Sequence, residues 1–154
     1  MEDISCSSIQ QNNIGEKMIV KFYDNVSDDL LKFAVVFTVH NGKYVFCKHK
    51  NRTTLEIPGG HRENGEDILT AAKRELYEET GAVDYRIRPV CVYSVTNQSL
   101  ETFGMLYFSD VKAFETELHS EIEKIVITDT LPESWTYPEI QPMLFKKIAE
   151  MKLI

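Results

Sequence analysis

Residues 60–82 constrain the fold of this chain more than any other stretch. A turn at Gly59 and Gly60 opens it, because glycine reaches backbone conformations that are closed to other residues. A polar loop follows and then a helical pattern without proline, which Glu66 or Asp67 can cap. Gly81 stands where a left-handed residue ends a helix. The stretch therefore predicts a glycine turn, a loop and a helix in direct succession.

The predicted helix carries three acids at i, i+3 and i+4, which we call the box acids: Glu75, Glu78 and Glu79. They share one face, beside an apolar stripe that we expect to be buried, formed by Leu69, Ala72, Leu76 and Val83. Like charges at this spacing destabilise a helix by ~0.2–0.5 kcal/mol, so the arrangement favours a bound cation. Oxygen ligands on a rigid element suit Mg²⁺ or Mn²⁺. The alternative is a solvated acidic face.

The same stretch resembles the Nudix box, G-x5-E-x7-R-E-U-x-E-E-x-G-U, in which U is a bulky aliphatic residue. Eight positions match at the right spacing: Gly60, Glu66, Arg74, Glu75, Leu76, Glu78, Glu79 and Gly81. Ala82 departs from the pattern, since it is smaller than the usual last residue. The box covers about a seventh of the chain, so the residues that select a substrate lie outside it.

The resemblance implies a metal-dependent hydrolase of phosphoric anhydride bonds. It implies that the box acids and the carbonyl of Gly60 hold Mg²⁺ or Mn²⁺, and that Glu66 and Arg74 form a pair that braces the loop. One more acid usually reaches the metals from a later loop. Glu121 is the preferred candidate, and Glu101, Glu115 and Glu117 are the others.

The remaining pattern predicts a mixed sheet between two helical layers in one domain, residues 1–154. This is an α/β (α+β) arrangement, and the resemblance implies the Nudix α/β/α sandwich. Strands are expected at residues 18–23, 32–39, 43–48, 54–57, 85–95, 102–111 and 121–128, with a hairpin at Asn41-Gly42. Residues 138–153 predict a closing helix with an inward stripe of Ile140, Leu144, Ile148 and Met151. Residues 1–17 are expected to form a loose arm or an edge strand.

The net charge of the chain and its cysteine content predict the kind of binding partner and the cellular compartment. A net charge of −7 without a basic stripe argues against long nucleic acid, whereas bound metal ions would attract a small anionic substrate. Three cysteines without zinc spacing predict reduced thiols and a cytoplasmic protein. The start lacks a signal-peptide pattern, and no apolar run is long enough to span a membrane. Monomer and homodimer both remain open.

Substrate class rests on elimination and resemblance. The secondary marks of Nudix hydrolases for ADP-ribose, diadenosine polyphosphates, coenzyme A and NADH are missing, and the chain looks most like the MutT group. That resemblance implies hydrolysis of a nucleoside triphosphate, such as 8-oxo-dGTP, to the monophosphate and pyrophosphate. Alternatives are another nucleoside diphosphate derivative, an RNA 5′-triphosphate end, or a non-catalytic ligand-binding module, against which the intact box argues.

Two sets of substrate-binding candidates follow. A nucleobase needs an aromatic or apolar slot with a few polar groups, for which Phe37, Trp135 and Tyr137 are candidates. The phosphates are expected to approach the glycine turn, and the candidates there are Gly59, His61 and Arg62. Packing in the core is the alternative for the aromatics, and surface solvation is the alternative for His61 and Arg62.

Overall fold

A seven-stranded mixed sheet with a helix on each face organises the computed structural model, which describes residues 18–118 and 121–154. The strands are β1 (Ile19–Tyr23), β2 (Leu31–His40), β3 (Lys43–His49), β4 (Gly59–His61), β5 (Ala82–Asn97), β6 (Leu100–Phe114) and β7 (Ile122–Thr128). The helices are α1 (Ile68–Thr80) and α2 (Gln141–Glu150), with a 3₁₀ turn at Asp28–Leu30. The sheet order is β1-β5-β6-β2-β3-β7, and β4 pairs with β2. Only β2 and β6 run parallel among these pairs.

Strand β2 divides the core between the two helices because its side chains alternate. Ala34 and Val36 face α1, where they join Ile68, Ala72 and Leu76 in one buried cluster. Val35 and Phe37 face α2 and join a second cluster with buried residues of that helix, Leu144 and Ile148. The predicted fold class, a mixed sheet between helical layers, is confirmed.

Two turns follow the chemistry of their residues. Asn41 and Gly42 take φ values of 50° and 78°, as a two-residue hairpin between β2 and β3 requires. Gly81 takes φ 78° and ends α1, with its N–H donating to the carbonyl of Tyr77. The hairpin and the helix end are both confirmed at the predicted residues.

The predicted apolar stripe of α1 is wrong in part. Ala72 and Leu76 are buried, but Leu69 is 36% exposed, and Val83 is 51% exposed and already belongs to β5. The helix instead buries Ile68, Ala71 and the box acid Glu79, which is 7% exposed. The buried face of α1 therefore lies closer to the box acids than predicted, and the carboxylate of Glu79 takes the place of an apolar residue on it.

Several predicted boundaries also shift. Residues 54–57 form no strand of their own, since Leu55 and Glu56 make only isolated bridges to Trp135 and Cys47. Helix α2 begins at Gln141 rather than at residue 138, and Met151 lies beyond its last turn at 45% exposure. Strands β5 and β6 are longer than predicted because their hairpin extends to both ends of the pair. The predicted arm, residues 1–17, lies outside the described residues.

Candidate active site

The glycine turn lies against both the sheet and the Nudix helix α1. Strand β4 pairs antiparallel with β2, which places Gly59 opposite Val35 and Gly60 opposite Ala34. A side chain at Gly59 would collide with the backbone of β2, and one at Gly60 would collide with the carboxylate of Glu75. The Gly59 position therefore requires glycine, and the missing side chain at Gly60 brings the turn backbone beside the carboxylate of Glu75.

Arg74 ties the loop to the helix. Its Nε donates to Glu66 Oε2 at 2.7 Å, and its Nη2 donates to Glu66 Oε1 and to the carbonyl of His61, both at 2.9 Å. Its Nη1 reaches Glu75 Oε2 at 3.0 Å and Glu78 Oε1 at 3.2 Å. Hydrogen bonds from Arg74, and one from the backbone of Glu63, lower the pKa of Glu66 to about 2. The expected Glu66–Arg74 contact is present, and we call this pair the brace.

The box acids differ in burial and in charge balance. Desolvation, followed by the charge of Glu79, raises the pKa of Glu75 to about 7, although Arg74 opposes this shift. Burial also raises the pKa of Glu79, and His49 and the Gly59 N–H oppose that shift. Glu78 is the most exposed of the three and lies beside Arg74. Two carboxylates of raised pKa therefore adjoin the glycine turn.

A network that the sequence reasoning missed surrounds Glu79. The Gly59 N–H donates to Glu79 Oε1 at 2.7 Å, and His49 Nε2 lies 3.4 Å from Glu79 Oε2 and 3.2 Å from Glu56 Oε2. Arg52 contacts the other oxygen of Glu56 at 2.8 Å. The closeness of Glu79, then of Glu56, raises the pKa of His49. Period-two alternation along β3 could have placed Cys47 and His49 on one face, but it gives no sign that this face meets Glu79.

A pocket of about 260 Å³ opens between the glycine turn and α2. Val35, Ile140 and Leu144 give it apolar walls, and the Phe33 and His61 rings, 4.3 Å apart, lie at one side. Gln141 lines it as a buried polar residue whose Oε1 accepts from the Ile57 N–H at 2.8 Å. The pocket therefore has the apolar body and sparse polar edge that a nucleobase requires.

The structure separates the predicted substrate-binding residues into two groups. Gly59, His61 and Tyr137 line the pocket. Phe37 is instead buried among Tyr44, Phe108 and Phe145, and Trp135 packs edge-on against Phe46. Arg62 turns away to Asp28 and to the carbonyls of Leu31 and Glu66, so it holds the loop. Alternation on β2 points Phe37 into the core, which its aromatic character alone does not indicate.

The predicted outer acids also have distinct surroundings. Glu121 is exposed in the turn before β7, where its carbonyl accepts from the Lys50 N–H at 2.9 Å. Glu101 accepts hydrogen bonds from Ser94 and from the Tyr23 hydroxyl, and Glu115 accepts one from Tyr77 at 2.8 Å. Of these three acids, Glu121 is the one whose side chain makes no such hydrogen bond within the described residues, and its metal role stays a prediction.

Comparison with known proteins defines the class. The NUDIX domain model matches residues 30–135, and the chain belongs to the Nudix family of hydrolases, which act on phosphoric anhydrides. YtkD of Bacillus subtilis strain 168, for which an 8-oxo-dGTP diphosphatase activity has been proposed, is 30% identical over 116 residues, covering 75% of this chain and 73% of YtkD.

Solved structures support the same class. A variant of the Bacillus subtilis pyrophosphohydrolase BsRppH superimposes with a TM-score of 0.73 at 26% identity, covering 87% of this chain and 90% of that one. A UDP-X diphosphatase shares the fold with a TM-score of 0.68 at 17% identity, covering 85% of this chain and 66% of that one.

No helix in the described residues is both long and apolar enough to cross a membrane.

The residues of this chain fit the divalent metal that Nudix enzymes generally use. The box acids supply oxygen ligands, and two of them are substantially buried with raised pKa values, so a cation would relieve a real electrostatic cost. The backbone of Gly60 lies beside Glu75 because no side chain intervenes. The donor set is all oxygen, as hard cations such as Mg²⁺ and Mn²⁺ prefer.

Proposed function

We propose that this chain hydrolyses a nucleoside triphosphate between its α and β phosphates, releasing a monophosphate and pyrophosphate, with an oxidised guanine nucleotide such as 8-oxo-dGTP preferred. One observation carries the proposal: the apolar pocket and the box acids adjoin opposite sides of the same glycine turn. A base in the pocket would lead its phosphate chain past Gly59 and Gly60 toward the acids. The similarity to YtkD supports this substrate class.

In this proposal the metal site consists of the box acids and the carbonyl of Gly60. When bound there, Mg²⁺ or Mn²⁺ would neutralise phosphate charge and lower the pKa of the attacking water. Glu121 is the proposed additional ligand from the loop before β7. The brace keeps Glu75 and Glu78 at fixed places through Arg74, which contacts both at 3.0 and 3.2 Å.

Glu75 is the proposed general base. Its carboxylate lies beside the turn that the phosphates would approach, which would place it near the attacking water. Glu79 is anchored by the Gly59 N–H at 2.7 Å, so it links the turn to the end of the helix. Both buried acids are proposed metal ligands, and they differ in a second task, which is proton acceptance for Glu75 and fixation of the turn for Glu79.

Gln141 is the residue proposed to recognise the base. Because its Oε1 already accepts from the Ile57 N–H, its amide nitrogen is the group left to donate toward a ligand. A purine carbonyl, such as that of guanine or 8-oxoguanine, accepts such a bond. Tyr137 and His61 supply flat surfaces at the pocket wall. The small pocket and the net charge of −7 favour a free nucleotide over a long RNA.

The test is product analysis in ¹⁸O-labelled water with dGTP, 8-oxo-dGTP and a triphosphorylated oligonucleotide. We expect the label in the monophosphate, unlabelled pyrophosphate, and a higher kcat/KM for 8-oxo-dGTP than for dGTP. Inorganic phosphate as the first product would contradict the cleavage site. A kcat/KM for 8-oxo-dGTP no better than for dGTP would remove the oxidised-base preference, and preferred cleavage of the oligonucleotide would replace the substrate class.

A single variant tests the reading of the base. Gln141→Glu keeps the acceptor for the Ile57 N–H and removes the donor, so KM for guanine nucleotides should rise about tenfold, or ~1.4 kcal/mol, with kcat less affected. Trp135→Phe is the matched control, because Trp135 packs on Phe46 outside the pocket lining. An unchanged KM in Gln141→Glu would contradict the assignment.

A further inference from the structure

Beneath the glycine turn lies a second group of metal-ligating side chains, with a donor set unlike that of the box acids. Strand β3 contributes a cysteine and a histidine, whose ligand atoms lie close together although the pairing with β7 shifts register between Lys48 and His49. One glutamate follows in the next segment and another comes from the last turn of α1. We call this the Cys–His–Glu cluster: Cys47, His49, Glu56 and Glu79. Each offers one ligand atom, and all four atoms lie within 4.8 Å of one another.

The geometry at the centre of the cluster is close to that of a tetrahedral site. Zinc bonds of about 2.0–2.3 Å place neighbouring ligand atoms roughly 3.3–3.8 Å apart. Here His49 Nε2 lies 3.2 Å from Glu56 Oε2 and 3.4 Å from Glu79 Oε2, and Cys47 Sγ lies 3.8 Å from the other oxygen of that carboxylate, Glu79 Oε1. All four ligand atoms lie within 4.8 Å of one another, so the widest spacings would close by about 1 Å for four donors to surround one ion.

One atom of the cluster lies between two carboxylates without a well-aligned hydrogen bond in the described residues. His49 Nε2 is shielded from solvent and makes no aligned hydrogen bond, although it points between two carboxylates. A buried ring nitrogen in that position is a ready metal ligand, since neutral imidazole binds zinc through either nitrogen. Glu56 also lines the pocket, so the cluster adjoins it.

We propose that the Cys–His–Glu cluster is a binding site for a thiophilic divalent cation of the zinc class, distinct in chemistry from the oxygen-only site of the box acids. Thiolate and imidazole donors select zinc or cobalt over magnesium. Binding releases the thiol proton of Cys47 and, where His49 is charged, its Nε2 proton to solvent, in exchange for the metal–sulfur and metal–nitrogen bonds. Arg52 stays on the second oxygen of Glu56, which it contacts at 2.8 Å.

The two sites share Glu79, and this gives the cluster a regulatory consequence that rests on the proposed function. A zinc-class ion that takes Glu79 Oε2 withdraws a charged ligand from the box acids. Zinc at the cluster therefore opposes hydrolysis supported by Mg²⁺.

The test uses Co²⁺ as a spectroscopic probe of the full chain, reduced and stripped of metal. A Cys6→Ser, Cys91→Ser background leaves Cys47 as the single thiol. We expect a thiolate-to-cobalt charge-transfer band and the visible bands of tetrahedral Co²⁺, saturating at one ion per chain and erased by Zn²⁺. Adding Cys47→Ser should abolish the charge-transfer band, and His49→Gln should weaken Co²⁺ binding at least tenfold, with folding checked by circular dichroism.

Glu78→Gln separates this proposal from the proposed function, because Glu78 belongs to the box acids and not to the cluster. The variant should lose hydrolysis and keep the cobalt spectrum. Absence of the charge-transfer band in the single-thiol protein, or its survival in Cys47→Ser, would overturn the site while leaving the hydrolase assignment intact. A normal cobalt spectrum with no hydrolysis of any nucleotide by the wild-type chain would overturn the proposed hydrolysis and leave the cluster site intact.

Discussion

The carboxylate of Glu66 in the brace and the carboxylates of the box acids differ in their partners. In the brace, Glu66 accepts two hydrogen bonds from Arg74 and one from the Glu63 N–H, and its pKa falls to about 2. Within the helix, burial raises the pKa values of Glu75 and Glu79. The comparison teaches that Glu66 is satisfied within the protein and stabilises the loop, whereas the box acids, in the proposed function, would be completed by a cation from outside.

Metal removal should give the largest effect. If the box acids need a cation, excess EDTA should reduce nucleotide hydrolysis to the uncatalysed background, and added Mg²⁺ or Mn²⁺ should restore it. Circular dichroism should change little, because the brace does not depend on metal. Undiminished hydrolysis in EDTA would contradict the role given to the box acids.

Loss of one buried box acid should come next. Glu79→Gln keeps the acceptor for the Gly59 N–H but removes the charge, so kcat should fall about a thousandfold, equivalent to ~4 kcal/mol of barrier. Glu78→Gln should act in the same direction. Glu63→Gln is the matched control, since Glu63 is exposed and lies 3.8 Å from Arg74. We would withdraw either residue as a ligand if its variant kept more than about a tenth of kcat.

Breaking the brace should cost less activity and more stability. Glu66→Gln retains the shape of the side chain but weakens both bonds from Arg74, so the loop should loosen, with Tm lower by about 2–6 °C and kcat by about tenfold. Differential scanning calorimetry and steady-state kinetics on the same preparations measure both quantities. A thousandfold loss of kcat at unchanged Tm would mean that Glu66 acts with the box acids instead.

The smallest effect is a pH dependence of stability in the metal-free protein. Glu75 has a folded pKa of about 7 against an ordinary 4.5, so between these values the unfolded chain ionises first and stability falls as pH rises. In Glu75→Gln, the decrease in the free energy of unfolding between pH 5 and 8 should be smaller by roughly 1–2 kcal/mol, after allowance for solvent screening. Urea unfolding in EDTA measures it. Parallel profiles for wild type and variant would show that Glu75 carries no such charge penalty.

The sequence predicted the parts of the site that depend on local spacing. The Gly60 turn, the Glu66–Arg74 contact and the Gly81 helix end all lie within one continuous stretch, so separations along the chain were enough. It could not predict that Phe37 packs in the core while His61 lines the pocket, because the side of the sheet that each strand residue faces depends on distant partners.

For the same reason, the residues around Glu79 could not be predicted from the sequence. His49 and Glu56 reach it only after β3, the following segment and α1 pack together, and their separations of 30 and 23 residues from Glu79 carry no periodic signal. Helical periodicity also misplaced Leu69 on the buried face, since it cannot tell which of two adjacent faces meets the sheet. Long-range packing, and not local propensity, fixed these features.

Direct measurement of Mn²⁺ binding tests the central claim that the two groups of carboxylates differ in their need for a cation. Electron paramagnetic resonance reports free Mn²⁺ during titration of wild type, Glu75→Gln, Glu79→Gln and Glu66→Gln. We predict that the first two variants weaken binding tenfold or more, ~1.4 kcal/mol each, whereas Glu66→Gln changes it less than about threefold. Equal weakening in all three variants, or none in Glu75→Gln and Glu79→Gln, would contradict the account.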